Sequence, residues 1–529
     1  MNWILTDIFK NKDEFENTKK ELLKNLEKIE NMQGKITQSI ETLYECYKMQ
    51  EIALEQFEKI YAYGMLNYHL DMSNQESIKL FKDVEQISTV FITKTSFIEP
   101  EITYADESLI KEYVNDKRLE PYKIDINKIL ERKKHTLSKE SENLLANYSE
   151  IFSSSENTYD ILTNTEFKFG KLINEDGKEV ELTDSNYTIY LRSKSEAVRK
   201  QAFHLMYQKY GEFINTIAQM YLTNVKTNSI TSKLRNYKSG LEKAVVGDDA
   251  TIKVYDALID SIDDNICANH EFLKLKKKLL KKENMHLYDI YVNPFEAKKD
   301  EITFEDAKEE VLEALNVLGE DYINKLQEAF DNHWIDVYAK PNKKGGAYSM
   351  GVYHVHPFVL LNFVNSKRDV STIAHELGHS MHSYYSSLNQ NIINSNYTIM
   401  VAEVASTVNE LLLAHFQIEN EKNKLKKAEI LYELLEMIRA TFFRQAMFAE
   451  FEKKVHEKIE NEIPLSSEDL NYMYYKLNEK YFGKEIEIDK EIQYEWARIP
   501  HFYSNFYVYK YATRCFCRYY NCYKYFKKR

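Results

Sequence analysis

Helix breakers are scarce in this chain. Its 529 residues include 7 Pro and 13 Gly, too few to punctuate many tight turns, so long helices are expected to dominate the fold. The apolar spacing agrees. Leu22, Leu26 and Ile29 form one stripe, and Leu43, Tyr47, Ile52 and Phe57 another, within a stretch from Glu14 to Phe97 that reads as two or three amphipathic helices. Mixed-sign charge covers their outer faces and no heptad persists, as in a helical scaffold rather than a coiled coil. Further helices are expected over 138–152, 193–229 and 251–282. Another is opened by the capping-box pattern Thr303-Phe-Glu-Asp306 and continues through Leu318.

Short β signals interrupt this pattern. Asp176-Gly177 sits between alternating residues and reads as a hairpin within 166–182. Tyr288-Asp-Ile-Tyr-Val-Asn-Pro294 resembles a short strand stopped by Pro. Gly345–Gly351 and Val352–Val364 read as two strands joined at Pro357. The hairpin suggests a boundary between an N-terminal helical lobe, residues 1–190, and a second region, 191–513.

Charge and cysteine usage narrow the setting. A net charge of −12 without a basic patch argues against nucleic acid. The N-terminus lacks a basic, apolar leader pattern, and an apolar run such as Phe358–Leu361 is far too short to span a bilayer. Cys46 and Cys267 are isolated, whereas Cys515, Cys517 and Cys522 crowd near the end. That is no disulfide framework, so a soluble, reducing, cytoplasmic setting without membrane partners is expected.

The chemistry-bearing stretch is Ser371–Ser383, which contains His375-Glu376-Leu377-Gly378-His379, an H-E-x-x-H pattern. On a helix the two histidines lie one turn apart on one face and can share a metal ion. Glu376 lies about 100° round the helix, where a general base for metal-activated water is needed. A third ligand is required. Position 385 is Tyr, which excludes a third histidine at the H-x-x-G-x-x-H spacing.

A carboxylate from a following helix is the alternative. Ile399–His415 reads as that helix, with Val404, Val408, Leu411 and Leu412 on one face and Glu403, Ser406, Thr407 and Glu410 on the other. Glu403 is favoured as ligand and Glu410 as its supporting neighbour, against the reading in which both face solvent. His382 is roughly 10 Å along the axis from His375, too far to share the ion, and reads as packed or hydrogen-bonded. His354 and His356 flank a strand where a peptide could touch; His354 reads as structural. Near the C-terminus, a helix after Pro500 would align Tyr503, Tyr507 and Tyr511. With 40 Tyr in the chain, that stripe by itself reads as core packing, although tyrosine hydroxyls and the His501 imidazole are suitable oxyanion donors.

These segments resemble a known family. Gly346-Ala-Tyr-Ser, His356-Pro-Phe-Val-Leu-Leu-Asn, His375-Glu-Leu-Gly-His-Ser-Met-His-Ser, Val401-Ala-Glu-Val-Ala-Ser-Thr and Ile499-Pro-His-Phe-Tyr-x-x-Phe-Tyr-Val-Tyr-Lys-Tyr-Ala-Thr are similar to oligoendopeptidase F, of the M3 zinc oligopeptidases related to thimet oligopeptidase. Trp3-x-Leu-x-Asp-Ile-Phe and Tyr288-Asp-Ile-Tyr match it too. The resemblance implies a mainly α, zincin-like fold: two helical lobes around a deep channel, with a small sheet beside the active-site helix. It implies one Zn2+ held by His375, His379 and Glu403, Glu376 as base, and His501 with nearby tyrosines as donors. Tyr507 and Tyr511 are the choices among these, with Tyr509 in reserve. Short peptides are the implied substrates, aligned by β-pairing along the strand pair, with Gly346, Ala347, Tyr348 and His356 as candidate contacts.

After Thr513 the pattern changes. Arg514–Arg529 holds three of the five Cys and no Ala, Leu, Ile or Val, and is read as an aberrant tail left by a frameshift or truncation. The expectation is therefore a zinc endopeptidase for short peptides. A zinc carboxypeptidase of similar fold and an inactive peptide-binding remnant are the rivals. Oligomeric state is not legible.

Overall fold

The computed structural model describes residues 3–295 and 301–513, so the tail 514–529 lies outside the described residues. The chain packs as two units, one formed by residues 3–136 and 301–421, the other by 137–295 and 422–513. The residue 190/191 junction proposed from sequence falls inside the helix Asp184–Leu191 of the second unit.

In the first unit, the helices Lys12–Glu30, Ile40–Leu70 and Gln75–Thr95 pack on one another. Asn11, Ser39 and Asn74 cap their N-termini by accepting from backbone N–H groups. Leu22, Leu26, Ile29, Leu43 and Tyr47 are buried as the spacing predicts. Ile52 is the exception, 44% exposed, because it lies about 140° round the helix from Tyr47. Phe57 stacks on Phe91 at 4.6 Å.

The same unit holds a three-stranded sheet. Phe358–Phe363 is central, parallel to Ile335–Tyr338 on one side and antiparallel to the edge strand Tyr348–Met350 on the other. Tyr348 pairs with Leu360 and Met350 with Phe358. The expected pair of strands is thus present, but a loop, 351–357, separates them in place of a join at Pro357. Asp336 is fully buried on Ile335–Tyr338 and pairs with the Lys343 ammonium. That ammonium also donates to the carbonyls of Asp336 at 3.2 Å and Tyr338 at 2.8 Å, which satisfies a buried charge on several sides.

The second unit has its own aromatic core. It is built on Glu196–Glu212, Ile214–Leu234, Ile252–Leu279, Arg444–Glu460 and Ser467–Phe482, with Tyr207, Tyr221, Tyr255, Tyr474, Tyr481 and Trp496 buried among them. The hairpin forms at Lys171–Ile173 and Glu179–Glu181, with Gly177 at φ 74° in its turn. The strand expected over 288–294 does not form. Leu287–Asp289 is a 3₁₀ turn, because buried Asp289 accepts the His286 N–H at 3.1 Å and pairs with Arg199 at 2.6 Å and Lys282 at 2.7 Å. Among the described residues, no helix is long and apolar enough to cross a membrane.

The Asp336–Lys343 pair gives a stability test. Lys343→Met strands a buried carboxylate and should cost about 3–5 kcal/mol. Lys340→Met removes only a longer contact of 3.6 Å to the same carboxylate from an exposed lysine, and should cost far less. Thermal unfolding of the two variants compares them; equal midpoints would show that Lys343 is not the counter-charge that Asp336 depends on.

Candidate metal centre

The H-E-x-x-H residues lie in the helix Lys367–Asn389, opened by a capping box between Ser366 and Asp369. Asp369 also accepts the Val364 N–H at 2.9 Å, so the helix start is tied to the end of the central strand. One face of the helix, including Val370, Ile373, Ala374, Leu377 and Met381, is buried. On that side Ser380 Oγ meets Ser349 Oγ of the edge strand at 2.8 Å. His375 and His379 remain partly open, with side chains 25% and 18% exposed.

The following helix, Ile399–Asn420, crosses close to this one. A Cβ added to Gly378 would lie 2.4 Å from Ser406 Cα and 2.8 Å from the Ala405 carbonyl oxygen. Only glycine permits that approach. The crossing carries Glu403 to both histidines. His375 Nε2 and His379 Nε2 are 3.2 Å apart, and Glu403 Oε2 is 3.3 Å from the first and 3.4 Å from the second. Tetrahedral bonds of about 2.0–2.1 Å to nitrogen and oxygen place neighbouring ligand atoms about 3.3–3.4 Å apart. The triangle therefore has the size a tetrahedral ion needs. Its chemistry fits too. Two imidazole nitrogens and a carboxylate oxygen, all able to offer lone pairs, converge on one point, and a cation is what reconciles them.

Supporting contacts orient this triangle. Glu410 Oε1 lies 3.4 Å from His375 Nδ1 and accepts from Ser371 Oγ at 3.3 Å, the place expected of a carboxylate that turns the other ring nitrogen toward a metal. Burial disfavours charge on His375, but the Glu410 contact and the carboxylates of Glu376 and Glu403 hold its pKa above the ordinary value. The bond from His379 holds the Glu403 carboxyl at about 2 against the effect of burial, and Ser406 Oγ donates to the same oxygen at 2.9 Å. Glu376 is 7% exposed. Burial raises its pKa, His375 and His379 oppose this, and Glu403 and Glu410 add to it.

Two supports escaped sequence reasoning. Asn409, 1% exposed, donates to the Ala374 carbonyl at 3.0 Å and accepts from the Tyr322 hydroxyl at 3.1 Å, which stitches the two helices together. Gly378 is the other. The small residues Gly378, Ala405 and Ser406 were the available signal for a close crossing.

His382 is packed, as expected: its ring lies on Tyr397 at 3.7 Å, with the planes 9° apart. His354 pairs with Glu55 at 3.2 Å. His356, expected among the substrate contacts, is committed elsewhere. Its ring lies on Trp334 at 4.9 Å, Nδ1 meets the Pro357 carbonyl at 2.8 Å and Nε2 meets Asp7 at 3.1 Å. That leaves no ring nitrogen for a peptide. Gly346 has φ 84° and its carbonyl accepts from Asn362 at 2.7 Å; Ala347 follows it, and the Tyr348 hydroxyl is bonded to His69 at 2.8 Å.

In the second unit, the segment after Pro500 is not one helix. Pro500–Tyr503 is a 3₁₀ turn, Phe506 has φ 57°, and helix resumes at residue 509. The proposed three-tyrosine stripe is therefore broken. Tyr503 is buried and stacks on Tyr159 at 4.6 Å. The Tyr509 hydroxyl is buried on Asp248 at 2.9 Å, which removes it as a reserve donor. Tyr507 and Tyr511 do cluster with His501: the rings are 5.9 and 6.0 Å from the imidazole and 5.5 Å from each other. Burial lowers the His501 pKa, which favours a neutral imidazole.

Residues 189–528 match the profile described as peptidase family M3, and residues 101–169 match one described as oligopeptidase F. The chain is 38% identical to the oligopeptidase PepF of Bacillus subtilis over 516 residues, 97% of this chain and 76% of that one. Among solved structures, one from Chlamydophila abortus, described as a putative peptidase, matches with a TM-score of 0.93 at 30% identity, covering 100% of this chain and 89% of that one. Oligoendopeptidase-F from Enterococcus faecium matches with a TM-score of 0.70 at 32% identity, covering 98% and 88%.

The contact between Glu410 and His375 can be tested apart from catalysis. Glu410→Gln should weaken divalent-metal affinity by roughly 10- to 100-fold, read by competition with a chromogenic chelator. An unchanged affinity would show that Glu410 does not orient the ligand.

Proposed function

The chain belongs to peptidase family M3, with the oligoendopeptidase F proteins, and from that premise we propose that it is a zinc endopeptidase hydrolysing internal bonds of short peptides. The observation that carries the reading is the His375–His379–Glu403 triangle with buried Glu376 beside it. One Zn2+ per chain is the proposed cofactor, because two imidazoles and one carboxylate are a usual catalytic zinc set with a fourth position left open. When bound, zinc supplies Lewis-acid polarisation of a carbonyl and acidifies water.

The chain's own groups do the rest. Glu376 takes the proton from the attacking water and delivers it to the leaving amine nitrogen, a single carboxylate acting first as base and then as acid. Its burial suits both halves of that cycle, since a carboxyl screened from water accepts a proton more readily than an exposed one. His501, Tyr507 and Tyr511 are the proposed donors to the oxyanion of the tetrahedral intermediate. That assignment rests on the resemblance and on their mutual packing.

The edge strand Tyr348–Met350 is the proposed peptide guide. One of its edges is paired with Phe358–Phe363, and the other offers backbone groups to an extended peptide, with Gly346 and Ala347 leading into it. The proposed setting is the cytoplasm, from the absence of a disulfide pattern in the cysteine spacing.

The test is a quenched peptide blocked at both ends. The zinc-loaded chain should cleave it internally, lose activity in chelator and regain it with Zn2+. Glu376→Gln should retain zinc and lose about 10²–10⁴-fold in kcat. Stoichiometric zinc without cleavage would overturn the reading, and cleavage restricted to peptides with a free C-terminus would replace it with carboxypeptidase activity.

A further inference from the structure

A buried carboxyl group that the mechanism does not use sits against the segment bearing His501, Tyr507 and Tyr511. Glu452, on the helix Arg444–Glu460, is 0% exposed. Its Oε1 accepts the Phe506 N–H at 2.6 Å, and its Oε2 has no hydrogen-bond partner among the described residues. One helical turn further on, His456 lays its ring against Phe506 at 4.3 Å. Tyr255 packs edge-on against the same Phe506 ring at 5.8 Å.

Phe506 is where these contacts matter. At φ 57° it occupies the left-handed region, where the Cβ of a bulky residue crowds its own backbone. Such a conformation persists only when its surroundings over-determine it. The Glu452 hydrogen bond fixes the backbone, and His456 and Tyr255 fix the ring. The turn is immediately followed by Tyr507, whose ring stacks on His501 with the planes 23° apart. A helix continued through 506 would have placed Tyr507 on the same face as Tyr503, which instead is buried on Tyr159.

We propose that Glu452 is a positioning residue for the peptidase: its hydrogen bond to the Phe506 N–H locks the left-handed turn that sets Tyr507 beside His501. It touches no substrate and acts through the turn. The proposal rests on the reading of His501 and Tyr507 as oxyanion donors. Burial pushes the Glu452 carboxyl up to about 8, against the pull of the Phe506 N–H. Burial thus favours the neutral acid, which has one carbonyl oxygen to accept the N–H and glutamine as its close isostere.

Two substitutions in the full, zinc-loaded chain separate the hydrogen bond from the volume. Glu452→Gln keeps an acceptor at the same place and should leave kcat close to that of the parent. Glu452→Met fills the space without one, and should lower kcat by on the order of 10²-fold with KM and zinc content unchanged, the size of loss that follows from a misplaced catalytic group. In a Tyr507→Phe background the Met substitution should cost much less, because the two changes remove the same donor. The proposal is overturned if the Met variant keeps full kcat, if its loss is undiminished in the Tyr507→Phe background, or if the Gln variant folds, binds zinc and loses kcat. Should the Met variant not fold, Glu452→Leu, which also lacks an acceptor, takes its place under the same criteria. Failure of the underlying reading looks different: Tyr507→Phe alone would leave kcat unchanged, and the positioning role would fall with it. A Tyr507→Phe loss without any Glu452→Met loss would refute the positioning role alone.

Discussion

The metal triangle depends on the crossing of two helices at Gly378. Two of its corners come from Lys367–Asn389 and the third from Ile399–Asn420, so its size is set by how near the helices come. Ser406 Cα occupies the space a side chain at 378 would need. A glycine inside a helix costs roughly 0.5–1 kcal/mol relative to alanine. The glycine stands against local helix propensity because the close crossing leaves no room for a side chain. Asn409 and the serine pair at 349 and 380 hold the crossing from either side.

Within the site, electrostatics and burial act together. Two imidazole nitrogens and a carboxylate oxygen lie within 3.4 Å of one another, and the Glu403 carboxyl is held ionised by the bond from His379. Glu376 experiences the opposite balance, with burial and two carboxylates favouring its protonated form. Neighbouring carboxyls are therefore driven apart in character, Glu403 toward the ionised form and Glu376 toward the protonated one. No change of fold is needed for that division; position on the two helices suffices.

Much of this was legible in the sequence, and the failures have physical causes. The motif helix and the following helix were readable because their patterns rest on spacing within a few helical turns. The helical first unit was readable from its apolar stripes, apart from Ile52, which had the right chemistry in the wrong phase. The turn at Leu287–Asp289 was missed in part because one of the groups that hold Asp289, Arg199, is far away in the chain. The contacts of His356 were hidden for the same reason: Asp7, 349 positions earlier, meets its Nε2. The tyrosine stripe failed at Phe506, where a buried glutamate holds a backbone conformation that no propensity would suggest for phenylalanine. Local periodicity is visible in a sequence, whereas a contact made across the fold is not.

The proposed zinc site rests on His375, His379 and Glu403. X-ray absorption at the zinc edge of the chain loaded with one equivalent of Zn2+ tests it directly, since the ligand atoms are identified by distance. This ligand set predicts only nitrogen and oxygen neighbours at about 2.0–2.1 Å, with the outer-shell signature of two imidazoles. With 5 Cys in the chain, the contrary result is equally sharp: a sulfur neighbour at about 2.3 Å would place the zinc on thiolates and contradict it.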